Sequence, residues 1–101
     1  MKYHVQLSPG VDEEILASAS YIARESVPCA EKWLGGIYEA IQSLRSMPER
    51  CGVIRENEEF KEELRELRYK SHRIIFVLEE QIVRIVHVRH AARDEWRPDE
   101  D

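Results

Sequence analysis

Apolar and polar residues alternate at the start of the chain and again through its last third, and between those stretches apolar residues recur every three or four positions. In "KYHVQLS", Tyr3, Val5 and Leu7 share one side and His4 and Gln6 the other, the period of two that marks a half-buried strand. "SPG" ends it. Ser8 is placed to accept a hydrogen bond from an orphan helix N–H, Pro9 suits a first helical position, and Asp12, Glu13 and Glu14 complement the positive end of a helix dipole. The spacing predicts a helix with Ile15, Leu16, Ala19, Ile22 and Ala23 on one face, ending near "ESVP", where Pro28 interrupts the ladder. A second helix carries the stripe Ala30, Trp33, Leu34, Ile37, Ile41 and Leu44 as far as "SMPE", where Pro48 stops it. The link is short, so the two helices form an antiparallel hairpin with one shared apolar side. Gly35 and Gly36 each cost roughly 1 kcal/mol relative to alanine inside a helix, which calls for close approach to the first helix or to the sheet.

Residues 49–63, "ERCGVIRENEEFKEE", read as a polar, mostly acidic loop anchored by Val53, Ile54 and Phe60. The period then returns to two. "LRELRY" alternates Arg65, Leu67 and Tyr69 with Leu64, Glu66 and Arg68, "HRIIFVL" is a dense apolar strand opened by Arg73, "EEQ" is a tight turn, and "IVRIVHVRH" is the last strand. The near-continuous apolar runs make the second and third of these the central strands of the sheet. The predicted order is β-α-α-β-β-β, an α+β fold with a mostly antiparallel sheet and the helical hairpin packed on one face.

At 101 residues and 43% hydrophobic, the chain fits a single globular domain over 1–101 with one modest core, and residues 97–101 form an acidic tail expected to be disordered. No apolar run is long enough to span a membrane and no secretory leader is apparent, so a cytoplasmic location is expected. Cys29 and Cys51 lack the spacing of a zinc site and are read as reduced core thiols, with no metal or cofactor expected. The net charge of -5 is unevenly spread. Residues 1–64 hold 7 Lys/Arg against 12 Asp/Glu, residues 65–97 hold 8 against 5, and residues 98–101 add three acids. The basic part of the last third suits one phosphate or one acidic partner segment, whereas an acidic chain disfavours broad polyanion binding. The alternative is a solvated sheet face balanced by nearby glutamates.

The arginines of that region fall at strand ends: Arg68 closes one strand, Arg73 opens the next, and Arg89, His90 and Arg93 lie where the last strand leaves the sheet. In a meander these positions can converge on one concave rim, and guanidinium groups grip phosphate or carboxylate with paired hydrogen bonds. Strict alternation puts Arg84, Val86, Val88 and His90 on one face and Ile85, His87 and Arg89 on the other. His87 and His90 then make a poor metal pair and a poor joint acid/base pair.

The run "FKEELRELRYKSHRIIFVLEEQIVRIVHVRHAARD", positions 60–94, resembles the meander of the RelE/ParE superfamily of bacterial type II toxins, a group that includes plasmid-stabilisation proteins. It has an "LR" strand, an "hRIIF" strand, a short acidic turn and an "H-x-x-R-D" ending, and the upstream strand, hairpin and "MPER" have the family's order and length. The resemblance implies a growth-arresting toxin that a cognate antitoxin neutralises, touching operator DNA only through the antitoxin complex. RelE-like relatives are ribosome-dependent mRNA endonucleases, and here Arg68, Arg89 and His90 would be the catalytic candidates. ParE-like relatives bind DNA gyrase without chemistry of their own, and Arg65, Arg73 and Arg93 would then be target or antitoxin contacts. "VRHAARD" resembles the ParE ending. The chain also departs from the ribonuclease pattern, because no tyrosine follows Tyr69, "RENEEFKEE" repels RNA, and the pI is near 5.4. The gyrase-binding reading is therefore preferred over the endonuclease and over an inactive antitoxin-binding relative. Tyr21, Tyr38 and Trp96 are candidate exposed aromatics for the antitoxin surface, and the free chain is expected to be poorly soluble or self-associated.

Overall fold

The computed structural model describes residues 2–92. Arg93, Trp96 and the acidic end lie outside them. The elements are β1 (His4–Leu7), α1 (Val11–Ala23), α2 (Val27–Ser43), two 3₁₀ turns at Pro48–Arg50 and Asn57–Glu59, β2 (Leu64–Tyr69), β3 (His72–Glu79) and β4 (Ile82–His90). This is the expected α+β order. The strands lie in the order β1-β4-β3-β2, with β1 parallel to β4 and the other pairs antiparallel, so the two densest apolar strands occupy the middle.

The hairpin packs on one face of this sheet. Ile15, Trp33, Ile37 and Ile41 from the helices meet Ile74, Phe76, Val83, Ile85 and Val88 from the strands in the main core. The opposite face is closed by the 51–63 segment, where Ile54 and Phe60 cover Leu64, Ile75 and Val77. β3 is consequently buried on both sides over its first six residues, which is why its sequence is almost continuously apolar rather than alternating. Each fully buried Ile or Phe there contributes about 1.5–3 kcal/mol. Among the expected anchors only Val53 stays exposed, though its backbone bridges to Arg65 and helps cover the outer edge of β2.

The helix boundaries correct the sequence expectations in two places. Ser8 does not cap α1: its N–H still bonds the Ile85 carbonyl, and the chain turns through Pro9 to Gly10, whose φ of 91° lies in the left-handed region that glycine tolerates. Pro28 does not terminate α1 either. It sits in the first turn of α2, where its missing N–H is harmless, and Ser26 caps that helix by accepting from the Cys29 N–H at 3.2 Å. Cys29 is accordingly exposed, Cys51 alone is in the core, and both are free.

Two contacts fix the hairpin. Tyr38 on α2 donates to Asp12 on α1 at 2.7 Å, and that bond to a carboxylate pushes the phenol pKa up to about 12. Tyr38 is thus half-buried and engaged, unlike the freely exposed Tyr21. The second contact explains one of the paired glycines: a Cβ on Gly36 would lie 1.8 Å from the Tyr69 hydroxyl oxygen and 2.7 Å from its ring, whereas a Cβ on Gly35 would meet nothing within 4 Å.

Gly36→Ala is expected to destabilise the fold by about 1–3 kcal/mol, because the Tyr69 ring must move. Gly35→Ala is expected to be neutral or to stabilise by up to about 1 kcal/mol. Urea unfolding of the two variants checks the contrast, and equal midpoints would refute the Gly36–Tyr69 contact. Because the folded chain holds the Tyr38 proton more tightly than the usual 10.0, the contribution of this bond is complete below pH 10 and lost as pH rises through about 12. Tyr38→Phe should flatten the alkaline fall in melting temperature over that window.

Candidate functional site

Six residues at one end of the sheet form two rows, back to back. Where β2 and β4 finish and β3 begins, Tyr69 pairs with His72 and His72 with His90; one residue along, Arg68 pairs with Arg73 and Arg73 with Arg89. Successive side chains on a strand point to opposite faces, so the first row faces the helices and the second faces away.

The outer row places three like charges directly opposite one another across three strands, an arrangement that repels unless it is neutralised. Neutralisation falls on the middle member. Arg73 is 4% exposed and donates Nη1 and Nη2 to the two oxygens of Glu56, both at 2.8 Å, and Nε to Glu66, also at 2.8 Å. Glu56 is itself buried, and these bonds hold the guanidinium more firmly protonated than usual. Arg73 is therefore an internal clamp between the 51–63 segment and β2, its guanidinium donors engaged by Glu56 and Glu66. Arg68 is different: its side chain is 55% exposed and its ion pair to Glu66 spans 3.7 Å. Arg89 is half-buried and has no carboxylate partner among the described residues. Arg55, Glu66, Arg68 and Arg73 line a shallow hollow of about 430 Å³ together with Gly52, Val53 and Ala91. Arg65 lies on the other side of β2, where Nη1 donates to the Cys51 and Glu49 carbonyls and Nη2 to Glu63 at 2.9 Å, so it ties the 51–63 segment to the strand.

The inner row belongs to an aromatic series that strand alternation does not reveal. Trp33 on α2 lies 6.4 Å from the Tyr69 ring and 4.9 Å from that of His72, and His72 meets His90 edge-on at 5.1 Å. His90 Nδ1 accepts from the Ala92 N–H at 3.0 Å. Above these rings, α1 contributes Glu14, Ala17, Ser18, Tyr21 and Ile22 to the wall of a second and larger cleft, of about 760 Å³.

Strict alternation along the last strand fails at one point. Pairing shifts between Ile75 and Phe76, leaving Val86 as an extra residue in β4. As a result Ile85 and Val88, three apart, both enter the helix-side core, while Val86 joins the outer cluster. His87 is drawn to α1, with Nδ1 2.8 Å from Glu14, which also accepts from the Val88 N–H at 2.9 Å. His90 keeps the face that alternation assigns it with Val88. Arg89 and His90 therefore lie on opposite faces, and the single rim expected for Arg68, Arg73, Arg89 and His90 does not form. No group of three or more metal-ligating side chains occurs among the described residues, and no helix among them is long and apolar enough to cross a membrane.

Removing Glu56 would leave Arg73 buried beside Glu66 alone. Glu56→Ala is expected to cost about 3–5 kcal/mol, and Glu56→Leu combined with Arg73→Met considerably less, because the pair disappears together. Urea denaturation of the singles and the double measures the coupling. A loss under about 1 kcal/mol for Glu56→Ala would mean that the clamp is not closed in solution.

The comparisons with known proteins agree with this architecture. The family model described as the ParE toxin of the type II toxin–antitoxin system parDE matches residues 5–95. A solved chain from the chromosomal ParDE TA system of P. aeruginosa superposes with a TM-score of 0.73 at 15% identity, covering 88% of this chain and 96% of that one, and so shares the fold. No curated protein matches the chain in sequence. With the family match extending over most of its length, this chain belongs to the ParE toxins of type II toxin–antitoxin systems.

Proposed function

We propose that the chain arrests bacterial growth by binding DNA gyrase in the cytoplasm and that a cognate antitoxin neutralises it, operator DNA being reached only through the toxin–antitoxin complex. The observation that carries this reading is the separation of Arg68 and Arg89 from His90 by the thickness of the sheet. Cleavage of an RNA chain needs a base for the attacking 2′-OH and an acid for the leaving oxygen within hydrogen-bond reach of the cations that hold the phosphate. No histidine lines the hollow that Arg68 and Arg73 border, and His4, on the same sheet face, pairs with Ile82 at the far end of β4 from Arg89. The carboxylate there, Glu66, is engaged by Arg73 and lies beside Arg68. Such a surface suits recognition of an acidic or phosphate-bearing patch through Arg68 and Arg89 without chemistry. The acidic 56–63 segment beside it argues further against docking on ribosomal RNA.

One observation favours the endonuclease reading. Arg68 and Arg89 flank a neutralised arginine two strand spacings apart, about 10 Å between Cα atoms, and their side chains can converge on a single phosphate.

Pulsed expression without antitoxin, with transcript 5′ ends and a DNA-damage reporter read from one culture, separates the two. Gyrase binding is expected to give intact transcripts and an induced damage response. His90→Ala is expected to keep at least half the growth arrest, and Arg68→Ala with Arg89→Ala to lose most of it. New 5′ ends within translated codons that vanish in His90→Ala would overturn the proposal.

A further inference from the structure

Val11, Ile15, Ala19 and Ile22 turn α1 to the core, and the side directly opposite carries Glu13, Leu16, Ala17, Ser20, Tyr21 and Arg24, all exposed. These six fall within about 70° of one line along the helix. A surface helix ordinarily gives this side to charged and polar residues, yet Leu16 is 54% and Tyr21 69% exposed. We propose that this face pairs α1 antiparallel with α1 of a second copy, making the free chain a weak two-fold dimer. The inference goes beyond the target reading above and does not depend on it.

The face reads alike from both ends. Glu13 and Arg24, Leu16 and Tyr21, and Ala17 and Ser20 each stand equally far from the midpoint between Ser18 and Ala19. A two-fold axis at that midpoint brings each residue level with its counterpart on the other copy, the self-complementarity that a symmetric dimer requires. Glu13 of one copy then meets Arg24 of the other, about 8 Å along the helix on either side of the axis. Neither has an ion-pair partner among the described residues, and Arg24 lies over the Tyr21 ring at 5.6 Å. A parallel pair would set Glu13 beside Glu13 and Arg24 beside Arg24, so charge selects the antiparallel direction.

Size follows the same rule. Ala17 and Ser20 are near the centre of the face, and Leu16 and Tyr21 form its two flanks. In the antiparallel pair Leu16 of one copy comes to rest on Ser20 of the other and Tyr21 on Ala17, so each large side chain meets a small one. The helix axes can then approach to about 8–10 Å. An unrelated partner would not require the two halves of the face to mirror each other, whereas a second copy does. One helix crossing of about three turns covers well under the roughly 800 Å² per partner of a standard interface, so the dimer is transient, with a Kd on the order of tens of micromolar. The arginine row faces away from the helices, and Arg68 and Arg89 stay open in the dimer.

Sedimentation velocity on the full chain, made by cell-free synthesis and run from about 5 to about 300 μM, reads the association. Wild type is expected to pass from monomer to dimer over this range, and Leu16→Lys to remain monomeric. Glu13→Arg and Arg24→Glu should each associate roughly 10-fold more weakly, because each turns two ion pairs into two repulsions. An equimolar mixture of these two variants separates the proposal from a general loss of charge. Their reversed charges complement each other across the pair, so association is expected to return to within about 3-fold of wild type, as it should in the chain carrying both substitutions. All three positions are exposed, and melting temperatures close to wild type verify that the fold is kept. A wild-type chain that stays monomeric to the top of the range overturns the proposal. A dimer that Leu16→Lys and the charge reversals leave intact lies on another face and overturns it too. Reversals that weaken association without recovery in the mixture remove the pairing of Glu13 with Arg24, and the proposal with it.

Discussion

A guanidinium buried between two carboxylates holds the outer half of this protein in place. Arg73 sits at the start of a central strand, on the side away from the helices, where nothing in the hairpin can shield it. Burying it costs several kcal/mol unless its donors are met, and Glu56 and Glu66 meet them with three charge-assisted hydrogen bonds at 2.8 Å. Glu56 comes from the 51–63 segment, so the same bonds that satisfy the arginine hold that segment against the sheet. With it come Ile54 and Phe60, which close the second apolar cluster over Leu64, Ile75 and Val77. The doubly buried β3 and the cover on the β2 edge both depend on a clamp made far from the helical core.

The clamp also determines what the sheet end presents. In a row of three arginines, neutralising the central one relieves repulsion from both neighbours and leaves the outer two separated and accessible. The pleat does the rest: moving one residue along each strand exchanges Arg68, Arg73 and Arg89 for Tyr69, His72 and His90, and exchanges a cationic surface for an aromatic one. Neighbours in sequence become opposites in space, which is how a domain of this size offers two chemically unlike surfaces at one end.

Much of this was legible in the sequence, and the exceptions have specific causes. Period-2 and period-3.6 patterns located every strand and both helices, and the apolar density of "HRIIFVL" and "IVRIVHVRH" placed those strands in the middle. An arginine inside so apolar a strand does announce that a buried acid must exist, because an unpaired charge there is untenable. It does not say which of the acids in "RENEEFKEE" is the partner, since that depends on how the loop folds back. The bulge at Val86 was invisible for a similar reason: one extra residue leaves the composition of the strand unchanged but resets the face of everything before it. Trp33 read only as one member of a helix stripe, and its place in an aromatic series came from α2 crossing the sheet end. The glycine pair promised a close approach, and only Gly36, against Tyr69, makes one.

Electrostatics change most between sequence and structure. Counted along the chain, residues 65–92 form a basic stretch with Arg65, Arg68, Lys70, Arg73, Arg84 and Arg89. Folding ties three of these cations closely to carboxylates, Arg65 to Glu63, Arg73 to Glu56 and Glu66, and Arg84 to Glu79 at 2.7 Å, a pair close enough to depress the Glu79 pKa, while Arg68 keeps a looser 3.7 Å pair with Glu66. What remains is Arg68 and Arg89 on one face and Lys70 on the other, two small sites in place of one field. Polyanion docking draws its affinity from many phosphates neutralised at once and their counterions released, so its strength falls with every cation withdrawn into an internal pair. A sheet end that offers Arg68 and Arg89 on an acidic protein is suited to recognition by position and shape rather than by bulk charge.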